Sequence, residues 1–249
     1  MLFRFGAYLI HVNVRSRSAL MQAVRARLVD RQGFALATIN LDHLVKLHRN
    51  PAFRSVYAAQ DLVVADGNPI VWLSRLARRP VALVPGSDLV VPLARIAAET
   101  NTAVALIGTT DAALAAAAAR LRADIPGLNI SLTEAPAMGF DPEGPAARAL
   151  LAQVAASAGL CFIALGAPRQ ETFAALGRKL APQTGFASVG AGLDFLAGTQ
   201  RRAPGWVRAI SMEWLWRALS QPRRLVPRYV GCAMILPRQV LAAWRLRFS

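Results

Sequence analysis

No apolar run in these 249 residues reaches the roughly 18 to 20 that a helix needs to cross a bilayer. Yet 55% of the residues are hydrophobic and the mean hydropathy is +0.36, high for a freely soluble chain. A protein that associates with a membrane without spanning it fits both facts. The first residues, MLFRFGAYLIHV, carry Arg4 too early for a secretory signal, and no small-residue cleavage site follows them. The expectation is a cytoplasmic chain, peripheral on the inner face of the membrane.

Cysteine and histidine are equally sparse. Cys161 and Cys232 lie inside apolar runs without ligand-like spacing, which excludes a disulfide framework or a zinc site. His11, His43 and His48 are scattered singly, and each reads as a satisfied core or surface histidine. Nothing gives positive support to a metal, and no cofactor is expected. A Walker A loop and a full GxGxxG are also missing, which argues against a dinucleotide-dependent oxidoreductase.

Acidic residues are few, 14 against 29 lysines and arginines, leaving a net charge of +15. The excess is uneven: from Arg201 to Ser249 ten arginines face one acid, Glu213. Trp206, Trp214, Trp216 and Trp244 share that stretch. Cations beside interfacial aromatics suit an anionic membrane surface, and they also suit nucleic acid. The apolar content of RYVGCAMILPRQVLAAW (228–244) favours the membrane, so nucleic acid is not expected as a partner. The same apolar tail suits a subunit interface, which leaves an oligomer open.

What is present along the rest of the chain is an alternation of short apolar runs and helix-like segments, the pattern of an α/β fold with a parallel sheet covered by helices. Strands are expected at 7–12, 34–40, 62–65, 103–108, 128–135, 160–166 and 185–190. Helices are expected at 17–31, 42–48, 68–78, 88–100, 111–124, 142–157 and 169–180, then at 204–219 and 223–247, the last broken at Pro227 and Pro237. This divides the chain into an α/β core over 1–200 and a helical, basic appendage over 201–249.

Ligands of such sheets bind beyond the carboxyl ends of the strands. The residues there are Thr38 and Asn40, then Asp66, Gly67 and Asn68, then Gly108, then Arg169 and Gln170, then Gly190 and Asp194. One rim of the sheet is therefore polar and glycine-rich, and helix N-termini on it can take a phosphate. In LVVADGNPIVW, Asp66 is either a cap for the helix that follows or a partly desolvated general base. Thr38 and Asn40 either make ordinary turns or orient a hydroxyl. Arg169 and Gln170 open a helix after Pro168 with Glu171 placed for its dipole, or face the rim, where Gln170 can meet a sugar. The tail arginines, Arg217, Arg224 and Arg228 among them, either meet lipid headgroups or reach back over the rim to a diphosphate.

Eight stretches occur in an order that resembles the WecG/TagA/CpsF glycosyltransferases, glycosyltransferase family 26. They are TINLDHLVKLHRNPAFR (38–54), DLVVADGNPIVW (61–72), PGSDLV (85–90), ALIGTT (105–110), PGLNI (126–130), LGAPRQE (165–171), VGAGLDFLAGTQRRAPGW (189–206) and MEWLWRALSQPRRLVPRY (212–229). The resemblance covers nearly the whole chain. It implies a Rossmann-like core of the GT-E type with a C-terminal appendage. It also implies metal-independent, inverting transfer of a sugar from a nucleotide donor, usually UDP-linked, to a polyprenyl-diphosphate-linked saccharide.

By motif, Asp66 matches the family's proposed base. Thr38, Asn40 and Gln170 match its active-site polar residues, and the tail arginines match those that close over the diphosphate. One departure stands out: where the family often has Arg, three residues before the glycine of GSD, this chain has Leu83. That substitution is mild support for a rival reading, a membrane adaptor that keeps the fold without the chemistry; the intact ADG and GAPRQE stretches argue against it.

Overall fold

The computed structural model of the chain describes residues 1–200, 203–209, 212–220 and 222–248, leaving aside the side chains of residues 208, 209, 213, 217, 220 and 224. Its strands are β1 (Leu2–Phe5), β2 (Tyr8–His11), β3 (Phe34–Ile39), β4 (Leu62–Ala65), β5 (Val104–Gly108), β6 (Ile130–Glu134), β7 (Leu160–Ala164) and β8 (Gly185–Ser188). The helices are α1 (Arg17–Val29), α2 (Leu41–Arg49), α3 (Pro51–Ala58), α4 (Asn68–Leu76), α5 (Val90–Glu99), α6 (Asp111–Asp124), α7 (Pro145–Ser157), α8 (Arg169–Leu180), α9 (Gly192–Ala197), α10 (Gly205–Ala209), α11 (Glu213–Ser220) and α12 (Pro222–Leu246).

Six strands form one parallel sheet in the order β4-β3-β8-β7-β5-β6. This is the Rossmann-like α/β arrangement expected from the sequence. Central parallel strands are buried on both faces, and that is why FALATI, LVVA and GFAS read as unbroken small and apolar runs. Within them the two-residue period still divides the faces. Phe34 and Leu36 of β3 pack with Leu20 and Val24 of α1, Leu93 of α5 and Leu114 of α6. On the opposite face Ala37 and Ile39 pack with Leu44 and Leu47 of α2, Phe53 of α3 and Ile70 of α4. Farther along that face, Ile107 and Ile163 meet Leu151 of α7 and Phe173 of α8. Each fully buried leucine or phenylalanine here is worth about 1.5–3 kcal/mol relative to exposure.

Four differences from the sequence expectation have physical reasons. The strand expected at 7–12 does not join the parallel sheet; β2 pairs antiparallel with β1, and the hairpin packs Phe3, Phe5 and Ile10 against the α2 side of the core. Helix α3 was not expected, although Asn50 and Pro51 give its start: the Asn50 side chain accepts from Phe53 N at 3.2 Å, and proline fits the first helical position. Helix α9 was also unexpected, its six residues being too few to show a period. Pro227 and Pro237 do not break α12. Both are exposed, so solvent can take the carbonyls they leave unbonded, while Leu225, Cys232, Gln239 and Ala243 keep a continuous buried stripe.

Helix α12 lies against α2 and α4, and Ala243 is fully buried in the same cluster as Ile39 and Leu44. Among the described residues no helix is long and apolar enough to cross a membrane.

Candidate functional site

The parallel register of β3 and β4 builds the site. Thr38 lies beside Val64 and Ile39 beside Ala65, so the residues that follow, Asn40 and Asp66, leave the sheet side by side. Asp66 N donates to Ile39 O at 2.8 Å, and the Asn40 amide Nδ2 donates to Asp66 Oδ2 at 3.3 Å. Gly67 follows with φ +104°, a conformation that side chains rarely adopt, and it starts α4 without a side-chain cap. The N-cap position of that helix is thus Gly67 and not Asp66. Asn68 is the first residue of α4 and half-buried.

Asn40 has two tasks. Its Oδ1 caps α2 by accepting from His43 N at 3.1 Å, and it also meets His43 Nδ1 at 2.8 Å. The amide orientation is fixed from both sides, because the backbone N–H needs an acceptor and the Asp66 carboxylate needs a donor. His43 Nδ1 also lies 3.4 Å from the Asn40 backbone N, which closes a reciprocal capping box over the same turn. Across the ring, His43 Nε2 faces Glu171 Oε1 at 3.1 Å. Glu171 is fully buried and His43 is 5% exposed.

The β7–α8 loop supplies the other wall. Arg169 is exposed at the first position of α8. Gln170 is buried, and its Nε2 donates to Glu171 Oε1 at 2.8 Å. Its Oε1 has no protein partner, so what Gln170 offers a ligand is an acceptor for a hydroxyl. The Tyr57 hydroxyl, completely buried beneath this group, is also unpartnered. Burial first, then the carboxylates of Glu171 and Asp66, push it well above the usual tyrosine range. Thr38 is 4% exposed and faces the other side, under the turn Gly86–Asp88, where a Cβ on Gly86 would come within 3.0 Å of Thr38 Oγ1. Leu83 lies beside Ala65 at the end of β4 and is 40% exposed. This position, where the resemblance implied Arg, is therefore an apolar side chain on the open edge of the site, next to Asp66.

A second group of rim residues is tied up in structure. The Thr109 hydroxyl donates to Asp194 Oδ1, Gln200 Nε2 donates to Asp194 Oδ2 at 3.1 Å, and Thr199 Oγ1 donates to Asp194 O at 3.1 Å. Asp194 thus links the β5–α6 connection to α9. Gly108, with φ +120°, passes so close to β7 that a Cβ would lie 2.5 Å from Ala164 O. Gly190, after β8, is half-buried with open space where a side chain would be. No cluster of three metal-ligating side chains occurs among the described residues. Burial pushes the Cys161 thiol far up and that of Cys232 up to about 11, so neither is a nucleophile at neutral pH.

Residues 7–249 match the model of the WecG/TagA/CpsF glycosyl transferase family. The chain belongs to this family. It is similar to the N-acetylglucosaminyldiphosphoundecaprenol N-acetyl-beta-D-mannosaminyltransferase of Bacillus spizizenii, at 28% identity over 211 residues, covering 82% of this chain and 79% of that one.

In this glycosyltransferase the structure gathers Asn40, Asp66 and Gln170 around one buried polar group, with Thr38 on the adjoining face of the same strand end. Arg228 reaches the site's flank, its Nε 3.1 Å from Asp42 Oδ1 in the first turn of α2. The side chains of Arg217 and Arg224 lie outside the described residues. Sequence reasoning passed over His43 and Glu171. A lone histidine carries no spacing signal, and Glu171 in a first turn looks like a dipole partner. The one available cue was the Asn40-to-His43 interval, since a cap and a side chain three residues on can close a reciprocal box.

Proposed function

We propose that this glycosyltransferase moves a sugar from a nucleotide donor, UDP-linked, to a polyprenyl-diphosphate-linked saccharide during assembly of a cell-surface polysaccharide. The observation that carries the reading is the Asp66 carboxylate at a strand end, turned by the Asn40 amide, with Gly67 and not Asp66 at the N-cap of α4. The name of the Bacillus spizizenii relative supports the acceptor class, a diphosphoundecaprenol-linked sugar, and a β-linked product.

The step is a single displacement. Asp66 takes the proton of the acceptor hydroxyl as that oxygen bonds to the anomeric carbon, and the bond from that carbon to the diphosphate oxygen breaks on the opposite face. The configuration inverts. Guanidinium groups of the C-terminal segment, from Arg217, Arg224 and Arg228, take the charge of the departing diphosphate, a role for which no metal is required. Gln170 Oε1 accepts a hydroxyl of the sugar, while Thr38, Asn68, Arg169 and the glycines 67, 108 and 190 shape the donor's bed.

The work is done at the anionic inner face of the membrane, against the basic C-terminal segment. That is supported by the exposure of Trp206, Leu219, Met234 and Trp244 among its arginines.

The test is incubation with a panel of UDP-sugars and a lipid-diphosphate-GlcNAc acceptor in EDTA, with the released nucleotide and the product linkage identified. UDP-N-acetylmannosamine comes first because of the relative. Release of UDP with a β-linked product is the expected result, and Asp66→Asn should lower turnover by at least about 100-fold while donor binding persists. An Asp66→Asn enzyme with wild-type turnover would remove the base from the mechanism.

A further inference from the structure

The buried pair behind the site has no role in that mechanism, and its cost needs a reason. His43 and Glu171 place two ionisable side chains at 5% and 0% exposure, where apolar residues of similar size are often as stable. They are linked in series to the reacting carboxylate: Glu171 Oε1 to His43 Nε2 at 3.1 Å, His43 Nδ1 to Asn40 Oδ1 at 2.8 Å, Asn40 Nδ2 to Asp66 Oδ2 at 3.3 Å. Gln170 Nε2 holds Glu171 from the far side at 2.8 Å.

We propose that His43 and Glu171 are positioning residues, which fix the Asn40 amide and through it the direction of the Asp66 carboxylate. The proposal rests on the reading of Asp66 as the base. An amide cannot hand on a proton without losing its resonance, so the series is a brace and not a proton wire. With Nε2 set by Glu171, the His43 ring lies against Asn40 through Nδ1, 2.8 Å from Oδ1 and 3.4 Å from the backbone N, while His43 N donates to Oδ1 at 3.1 Å, so Asn40 presents its NH2 to Asp66. Remove the ring and the Asn40 side chain is held by the backbone N–H of His43 alone. The amide can then rotate, and the carboxylate loses the Asn40 donor that aims it.

Five variants are compared in the assay above: His43→Leu, Glu171→Leu, Glu171→Gln, Asn40→Ala and the double variant Asn40→Ala with His43→Leu. Turnover is read at saturating substrates, and donor affinity by equilibrium binding of the UDP-sugar. His43→Leu and Glu171→Leu should each lower kcat by about 10- to 100-fold, the usual cost of a reacting group misplaced by about an ångström, with donor Kd within about twofold. Glu171→Gln keeps a polar partner for Nε2 and should restore most of the rate. In the Asn40→Ala background His43→Leu should add no more than about twofold, because the element it acts through is gone.

Wild-type kcat in His43→Leu, or a full independent loss on top of Asn40→Ala, overturns the proposal. If His43→Leu does not fold, His43→Gln carries the same comparison with an expected loss of about 3- to 10-fold. A dead Asp66→Asn beside fully active His43 and Glu171 variants would sink the brace alone, whereas an active Asp66→Asn would sink the base reading itself.

Discussion

Arg228 of α12 grips Asp42 of α2, Nε to Oδ1 at 3.1 Å, while Lys46 takes the other carboxylate oxygen at 2.7 Å and donates to Ala167 O at 3.0 Å. Asp42 stands two residues beyond Asn40. The C-terminal helix is therefore fastened to the turn that presents the site.

Burial by itself raises the Asp42 carboxyl, but Arg228, then Lys46 and His43, outweigh it and hold the group below the usual carboxylate range. A depressed carboxyl contributes stability above its unfolded pKa, near 3.9, and that contribution is lost as pH falls through the folded value. Asp42→Asn should lower stability by about 1–2 kcal/mol at neutral pH, between the values for exposed and buried pairs. The gap to wild type should close on acidification below about pH 4. Arg228→Met should cost less, because Lys46 still answers the carboxylate. Thermal melts from pH 7 to 3 read both.

A second fastening between the same helices titrates higher. Gln239 Nε2 lies 3.0 Å from His48 Nε2, which must accept, so the ring is neutral in this contact. Burial, then Arg238 and Arg54, lower the His48 pKa below 6.5. A histidine with a lowered pKa contributes stability that is complete above its unfolded value and lost as pH falls from there toward the folded one. Stability should decline below about pH 6.5, and His48→Gln should flatten that slope. Denaturant midpoints at pH 7.5 and 5.5 distinguish the two proteins.

Gly108→Ala should be the harshest single methyl in the chain's rim. The added carbon would meet Ala164 O at 2.5 Å on rigid backbone, in a conformation already unfavourable for alanine. A loss of about 3 kcal/mol or more is expected. An unchanged urea midpoint would contradict the close crossing of β5 and β7.

Leu83→Arg places a guanidinium on the open edge beside Asp66. It should lower the donor KM by about 2- to 5-fold, the worth of an exposed ion pair, and leave the melting temperature unchanged. Steady-state kinetics in the donor decide it.

Trp206 and Leu219 are 69% and 73% exposed in the basic segment. Trp206→Ala and Leu219→Ser should each weaken binding to anionic vesicles by about tenfold, as loss of a side chain buried on docking would. Raised salt should weaken it further. Vesicle flotation with and without phosphatidylglycerol measures both.

The parallel sheet was legible because strands buried on both faces must be apolar throughout, and FALATI and LVVA cannot be read otherwise. The rim was legible for a related reason: loops that leave a sheet's carboxyl edge need glycine and small polar residues. What the sequence concealed were relations across distance. Asp66 as a cap or as a base looks the same in ADGNP; only the register of β3 with β4 puts Asn40 at its side. Glu171 in a helix's first turn looks solvated until α3 and α2 close over it. Pro227 and Pro237 looked like breaks because the rule about proline does not say which way the ring will face.

Helix α2 has nine residues, and only Arg49 is exposed. Its cap aims a carboxylate, its inner face fills the core, and its outer face takes α12 through Asp42 and His48. Such a segment has almost no neutral positions. Among variants of this enzyme, sequence drift should be slowest from Asn40 to His48, and change at one position there should travel with compensating change in α8 or α12.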